Sequence, residues 1–144
     1  MSDKILNMLG LMRRANAIQI GETNTGAAVR GGKAKLLLLA ADASENAKSR
    51  AEGFTRGRSV LTVPLPYIKE EISASVGVNG CSMAAVTDMG FANALMKALS
   101  EKQPERYGAL AEEVAGRFEK AQRRKKEAAA HERNKRVGKR RTNV

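Results

Sequence analysis

The sequence predicts an α/β fold: a three-layer αβα sandwich around a central mixed sheet, with a C-terminal helical basic extension. Three observations lead there. Short apolar segments bounded by turn residues alternate with helical patterns, the order that builds a sheet with helices on both faces. The segment Ala34 to Ala41 holds four leucines in a row, Leu36 to Leu39, as a strand covered on both faces requires. Finally, charge is segregated. The 144 residues carry 26 Lys+Arg and 15 Asp+Glu, a formal net of +11. From Arg117 to the end there are 12 basic and 3 acidic residues, a net of +9, so the preceding 116 hold 14 and 12, a net of +2. The reading is therefore one αβα domain over residues 1–101 and a helical extension with a basic tail over 102–144.

Each element has a local reason. Ser2 is placed to cap a first helix with Ile5, Leu6, Leu9 and Met12 on one face, ending near Ala15 before Asn16. Ala17 to Gly21 reads as a short strand. Thr23 or Asn24 is expected to cap a second helix, closed by Gly31-Gly32. After the leucine strand, Asp42-Ala43-Ser44-Glu45 supplies a cap and an acidic first turn for a helix that stops before Gly57. Ser59 to Leu65 is the next strand, and Pro66 is expected to start a short helix through Ser75 that Gly77 closes. Met83 to Thr87 forms a buried strand, and Asp88 caps a helix over Gly90 to Ser100. Beyond Pro104 a long helix is predicted. Tyr107, Leu110, Val114, Phe118 and Ala121 recur at steps of three and four as one apolar stripe, which packs on the body or on a partner. Gly138 is expected to end that helix.

Composition excludes several classes. The longest aliphatic run, Leu36 to Ala41, is six residues, against roughly 20 for a membrane helix. The Met-Ser-Asp start leads straight into an amphipathic pattern, unlike a signal peptide. Cys81 stands alone, so neither an intramolecular disulfide nor a cysteine-based metal site is expected, and the setting is a reducing cytoplasm. A cationic tail repels itself and condenses on a polyanion, nucleic acid before a membrane surface, because apolar anchors are missing from it. A merely solubilising tail is the plain alternative.

Catalytic signals are weak. Gly21 to Gly26 has the glycine spacing of a phosphate loop, yet Ala27 and Ala28 stand where Lys and Ser/Thr are needed. Asp42 and Asp88 fall at predicted strand ends, where paired carboxylates could hold a metal, but each directly precedes a helix and reads more simply as a cap. His131 sits in the tail, unable to be positioned for catalysis, and Cys81 reads as a small core residue. No catalytic residue, metal or cofactor is expected, and the chain is read as a non-enzyme. The informative segment is Gly21 to Lys35. There Glu22, Thr23, Asn24 and Thr25 lead into a helix followed by Arg30, Lys33 and Lys35, with Arg13 and Arg14 placed to join the same surface.

The ordered motifs resemble a known family. They are Leu9-Gly10-Leu11-Met12-Arg13-Arg14-Ala15, Gly21-Glu22, Val29-Arg30-Gly31-Gly32-Lys33-Ala34-Lys35-Leu36, Asp42-Ala43-Ser44-Glu45-Asn46, Pro66 to Ile72, and Ala85 to Ala92. Together, over about residues 4 to 100, they resemble the bacterial branch of the ribosomal protein L-seven-Ae family. These are small kink-turn RNA-binding proteins related to the eukaryotic large-subunit protein thirty-e. The tail lies outside the resemblance. The resemblance implies an αβα sandwich whose helix start after the first strand enters a major groove at sheared G·A pairs. The family's Asn-Glu pair and nearby Lys fall here on Thr23, Asn24 and Ala27, a departure that exchanges a carboxylate for an amide and removes a cation. The loop that covers an extruded base falls on Leu65, Pro66 and Tyr67, where Tyr67 either stacks on a base or faces the core.

The functional expectation is a monomeric, non-enzymatic, ribosome-associated protein of translation that binds kinked or structured RNA. Its tail cations, Arg123, Arg124, Lys125, Lys126, Lys139, Arg140 and Arg141, are expected to add phosphate contacts. The alternatives are a general nucleic-acid coat held mainly by the tail, and a protein-interaction module using the 107–121 stripe.

Overall fold

The computed structural model describes residues 3–142, with side chains through 135. Its elements are α1 (Lys4–Arg14), β1 (Ile18–Ile20), α2 (Glu22–Arg30), β2 (Leu36–Leu39), α3 (Glu45–Thr55), β3 (Leu61–Pro64), α4 (Lys69–Val76), β4 (Met83–Val86), α5 (Met89–Lys102) and α6 (Pro104–Thr142). The sheet order is β1-β4-β2-β3. β2 and β3 run parallel, with Leu36 opposite Leu61, while β4 is antiparallel to both β1 and β2. The predicted mixed sheet and αβα layering are present.

The leucine run explains the layering. Successive strand residues point to opposite faces. Leu36 and Leu38 enter one core with α1, α4, α5 and the start of α6, whereas Leu37 and Leu39 enter a second core with α2 and α3. All four are buried. The α6 stripe packs on the body: Tyr107 and Val114 are buried in the first core, with Leu110 half-buried against it. The Tyr107 hydroxyl donates to the Pro64 carbonyl, and the Arg117 guanidinium donates to the Ser59 carbonyl, so α6 docks beside β3.

Several caps differ from expectation. Ser2 lies outside the described residues, and Asp3 caps α1, its Oδ1 accepting from the Ile5 and Leu6 N–H groups at 2.8 and 3.2 Å. Gly21, not Thr23 or Asn24, is the N-cap of α2; its φ of +93° is open to glycine and strained for other residues, so the helix starts early and takes both side chains into its first turn. Ser44 caps α3, accepting from the Ala47 N–H. Asp42 serves a different helix: it accepts from the Lys69 N–H at 2.8 Å. Glu71 reaches back to the Ile68 N–H, and together these contacts start α4 at Lys69 rather than Pro66. Asp88 caps α5 as expected, and Gly77 closes α4 with a φ of +74°. α6 continues through Gly138 to Thr142 instead of stopping there.

Candidate nucleic-acid interface

Two grooves flank the C-terminal end of α2. The first, about 450 Å³, is lined by Asn16, Gln19, Asn24, Lys33 and Thr87 above Ala27 and Gly31. Asn16 follows α1 with a φ of +57°, a conformation asparagine adopts more readily than most residues. Gln19 is the outward residue of edge strand β1, between buried Ile18 and Ile20. Three amides, a hydroxyl and one ammonium therefore converge on one surface. Amides both donate and accept, the chemistry that addresses base edges. The Asn24 Nδ2 donates to the Ile20 carbonyl at 2.9 Å, which fixes the side chain while leaving its oxygen and second N–H for a ligand. α2 lies close to α3 because Gly26 has no side chain: a Cβ there would stand 2.8 Å from the Phe54 ring.

The second groove, about 730 Å³, opens where α6 passes the turns before β2 and β3. Lys35 and Arg58 contribute from the body, and Arg117, Lys120 and Arg124 from α6. Its apolar lining is Val29, Gly32, Ala34, Val60, Met89 and Ala121, with Gly57 beside them. No carboxylate is among the described residues that line it. Arg58, Arg117 and Lys120 were absent from the sequence-based set. The available signal was the spacing of Arg117, Lys120 and Arg124, which share a helical face.

The other expected residues distribute as follows. Thr23 is exposed on the first turn of α2, outside the lining of the first groove. Glu22 pairs with Arg50 of α3 at 2.5 Å, and the Arg30 guanidinium sits 5.9 Å from the centre of the Phe54 ring, so both face α3. Arg13 and Arg14 line a separate cleft between α1 and α4 rather than joining the α2 surface, because the last turn of α1 packs toward Ser75 and Gly77. Arg123, Lys125 and Lys126 are exposed on α6 outside the second groove. Lys139, Arg140 and Arg141 lie outside the residues with described side chains.

Leu65 and Tyr67 belong to the core, at 1% and 4% exposure, and Pro66 is half-buried beside them. Tyr67 thus takes the core-facing alternative. Its hydroxyl donates to Asp3 at 2.8 Å, with the Lys102 ammonium 3.3 Å from the same carboxylate. Burial, then the hydrogen bond to Asp3 and the Asp3 charge, push the Tyr67 phenol well above its ordinary range. Burial acts to raise Asp3 as well, but the bonds from Tyr67, the α1 N–H groups and Lys102 outweigh it and hold the carboxyl below its usual value. Burial pushes the Cys81 thiol up to about 11, an unreactive state that suits its core position. Among the described residues no group of His, Cys, Asp and Glu is placed to hold a metal, and no helix is long and apolar enough to cross a membrane.

Comparison with known proteins places this geometry in context. No family model matches the chain. Solved structures share the fold, among them the following two. A protein of unknown function from Bacillus halodurans superposes with a TM-score of 0.62 at 23% identity, covering 69% of this chain and 99% of its own. A Giardia lamblia 15.5kD RNA binding protein superposes with a TM-score of 0.55 at 18% identity, covering 70% and 89%. Curated relatives are nearer in sequence. RNA-binding protein YlxQ of Enterococcus faecium is 34% identical over 89 residues, 62% of this chain and 84% of its own. RNA-binding protein YlxQ of Bacillus subtilis is 36% identical over 94 residues, 64% of this chain and 91% of its own. At that identity, over nine-tenths of the Bacillus relative's length, the chain belongs to the YlxQ family.

Proposed function

We propose that this protein binds kinked or structured RNA without catalysing a reaction, using the amide-lined α2 groove to read base edges and the cations of its extension to hold phosphates. The observation that carries this reading is the convergence of Asn16, Gln19, Asn24 and Lys33 beside α2, in a chain whose curated relatives are named RNA-binding proteins. RNA bases splayed at an internal loop expose the edges that such amides address, whereas a regular duplex hides them in a deep, narrow groove. Thr23 stands exposed one residue before Asn24, positioned to extend the contact. In its finer form the reading is a single copy bound to ribosomal RNA, or to RNA of ribosome assembly, in the cytoplasm, as the family resemblance implies.

A second reading, a general nucleic-acid coat, draws support from the departure at Thr23, Asn24 and Ala27 and from the net +9 of the last 28 residues. Affinity of the full chain for an RNA with a bulged internal loop, against a plain RNA duplex and a DNA duplex of equal charge, separates the two. Tighter binding of the looped RNA is expected. Equal affinity for all three would favour the coat.

A further inference from the structure

We propose that the α6 groove is a phosphate-binding site that grips an RNA strand's backbone from two sides, separate from the α2 groove; this rests on the RNA-binding reading above. Charge is the first argument. Lys35 and Arg58 stand on the body side and Lys120 and Arg124 on the α6 side, and the lining carries no acidic residue among those described. Arg117, the fifth cation, is engaged by Glu113 and by the Ser59 carbonyl, so it fixes the helix against the body. Lys35, Lys120 and Arg124 take part in none of the ion pairs among the described residues. They are exposed, so their charge is available to a ligand.

Shape is the second argument. Most of the apolar lining is small, with Gly32, Ala34, Val29 and Ala121 beside Val60 and Met89, which leaves a backbone room to lie close to the cations. On α6, Lys120 and Arg124 follow one another at about 6 Å along the axis, from a rise of about 1.5 Å per residue. That spacing, with Lys35 across the groove, suits successive charges on an extended polyanion rather than one small anion. Continuity is the third. The two grooves meet across Gly31 and Gly32, one lining each, with Lys33 on one side and Lys35 on the other. A strand whose bases sit in the α2 groove therefore runs into the α6 groove without leaving the surface. Of the four tail cations with described side chains that the sequence singled out, this assigns Arg124 the directed role.

The test uses the full chain and an RNA hairpin with a bulged internal loop, titrated with salt. Lys35→Gln, Lys120→Gln and Arg124→Gln combined should flatten the dependence of log affinity on log salt by about 2–3, at roughly 0.7–0.9 per phosphate contact. Removing the same charge outside the groove, with Arg123→Gln, Lys125→Gln and Lys126→Gln, should flatten it less than half as much. Ala121→Glu, which adds a carboxylate to the floor and removes no cation, should weaken binding several-fold. Equal effects of the two triple variants would overturn the groove while leaving RNA binding standing. Failure of the unaltered chain to bind the hairpin would instead strike the RNA reading itself. Loss of polyglutamate binding in the groove variant, with RNA affinity intact, would assign the groove to an acidic protein and overturn the proposal.

Discussion

The two faces of the sheet are built differently. Behind one lies a broad core of leucine, isoleucine, methionine and tyrosine from α1, α4, α5 and α6. Behind the other lies a thin layer rich in alanine, with Ala28, Ala34, Ala43, Ala47, Ala51 and Ala85 between the sheet and α2 and α3. Apolar area removed from water sets stabilisation, so the broad face carries most of the fold's free energy. The thin face brings α2 close to the sheet and leaves polar side chains along its edge. Stability and the proposed ligand chemistry are thus divided by four strands. α6 joins the two: Tyr107 and Val114 are rooted in the broad core, while Lys120 and Arg124 reach the edge of the thin one, beside Val29 and Ala34.

Tyr107→Ala should break this division most strongly. It removes a fully buried ring and the bond to the Pro64 carbonyl, and a cost of about 3–5 kcal/mol is expected from denaturant unfolding. Because Tyr107 also roots α6, the salt dependence of RNA binding should flatten in the same variant. A stability loss below about 1 kcal/mol would mean that α6 is not held by the core.

Gly26→Ala probes the thin face. The added methyl meets the Phe54 ring at 2.8 Å and the Arg30 guanidinium at 3.0 Å, so these side chains or α2 itself must give way, at about 1–3 kcal/mol. The expected signature is the reverse of the first: preference for looped RNA falls while the salt slope holds. An unchanged preference would show that the packing of α2 on α3 through Phe54 does not govern recognition.

The smallest effect concerns acid. Asp3 has a folded pKa below its ordinary 3.8, so its contribution to stability is present above that value and is lost as pH falls through the folded pKa. Asp3→Ala should cost about 1 kcal/mol at neutral pH, as loss of a cap does, and the gap from the unaltered chain should close below pH 3.8. A gap independent of pH would mean that the carboxylate charge contributes nothing.

These contrasts also mark what sequence reasoning could reach. Four leucines in succession announced a strand covered on both faces, and the 107–121 stripe announced a helix needing cover, because both signals are local periodicities. Asp88 followed from its place before a helix. Gly21 as a cap did not, since side-chain preferences favour the neighbouring Thr and Asn, and a positive φ leaves no mark beyond the glycine itself. Asp42 caps a helix 27 residues away, a contact made by the tertiary fold. Tyr67 could face a ligand or the core, and only its bond to Asp3, 64 residues distant, decides. The α6 groove arises for the same reason: its walls come from residues near 35, 58 and 120, joined when Arg117 meets Ser59 across 58 positions.

The most direct test of the account is the ratio of affinities for looped RNA and plain duplex in Thr23→Ala/Asn24→Ala, set against the unaltered chain. The ratio should fall toward one while the salt slope of looped-RNA binding stays as it was. A ratio equal to that of the unaltered chain would contradict recognition through the α2 groove.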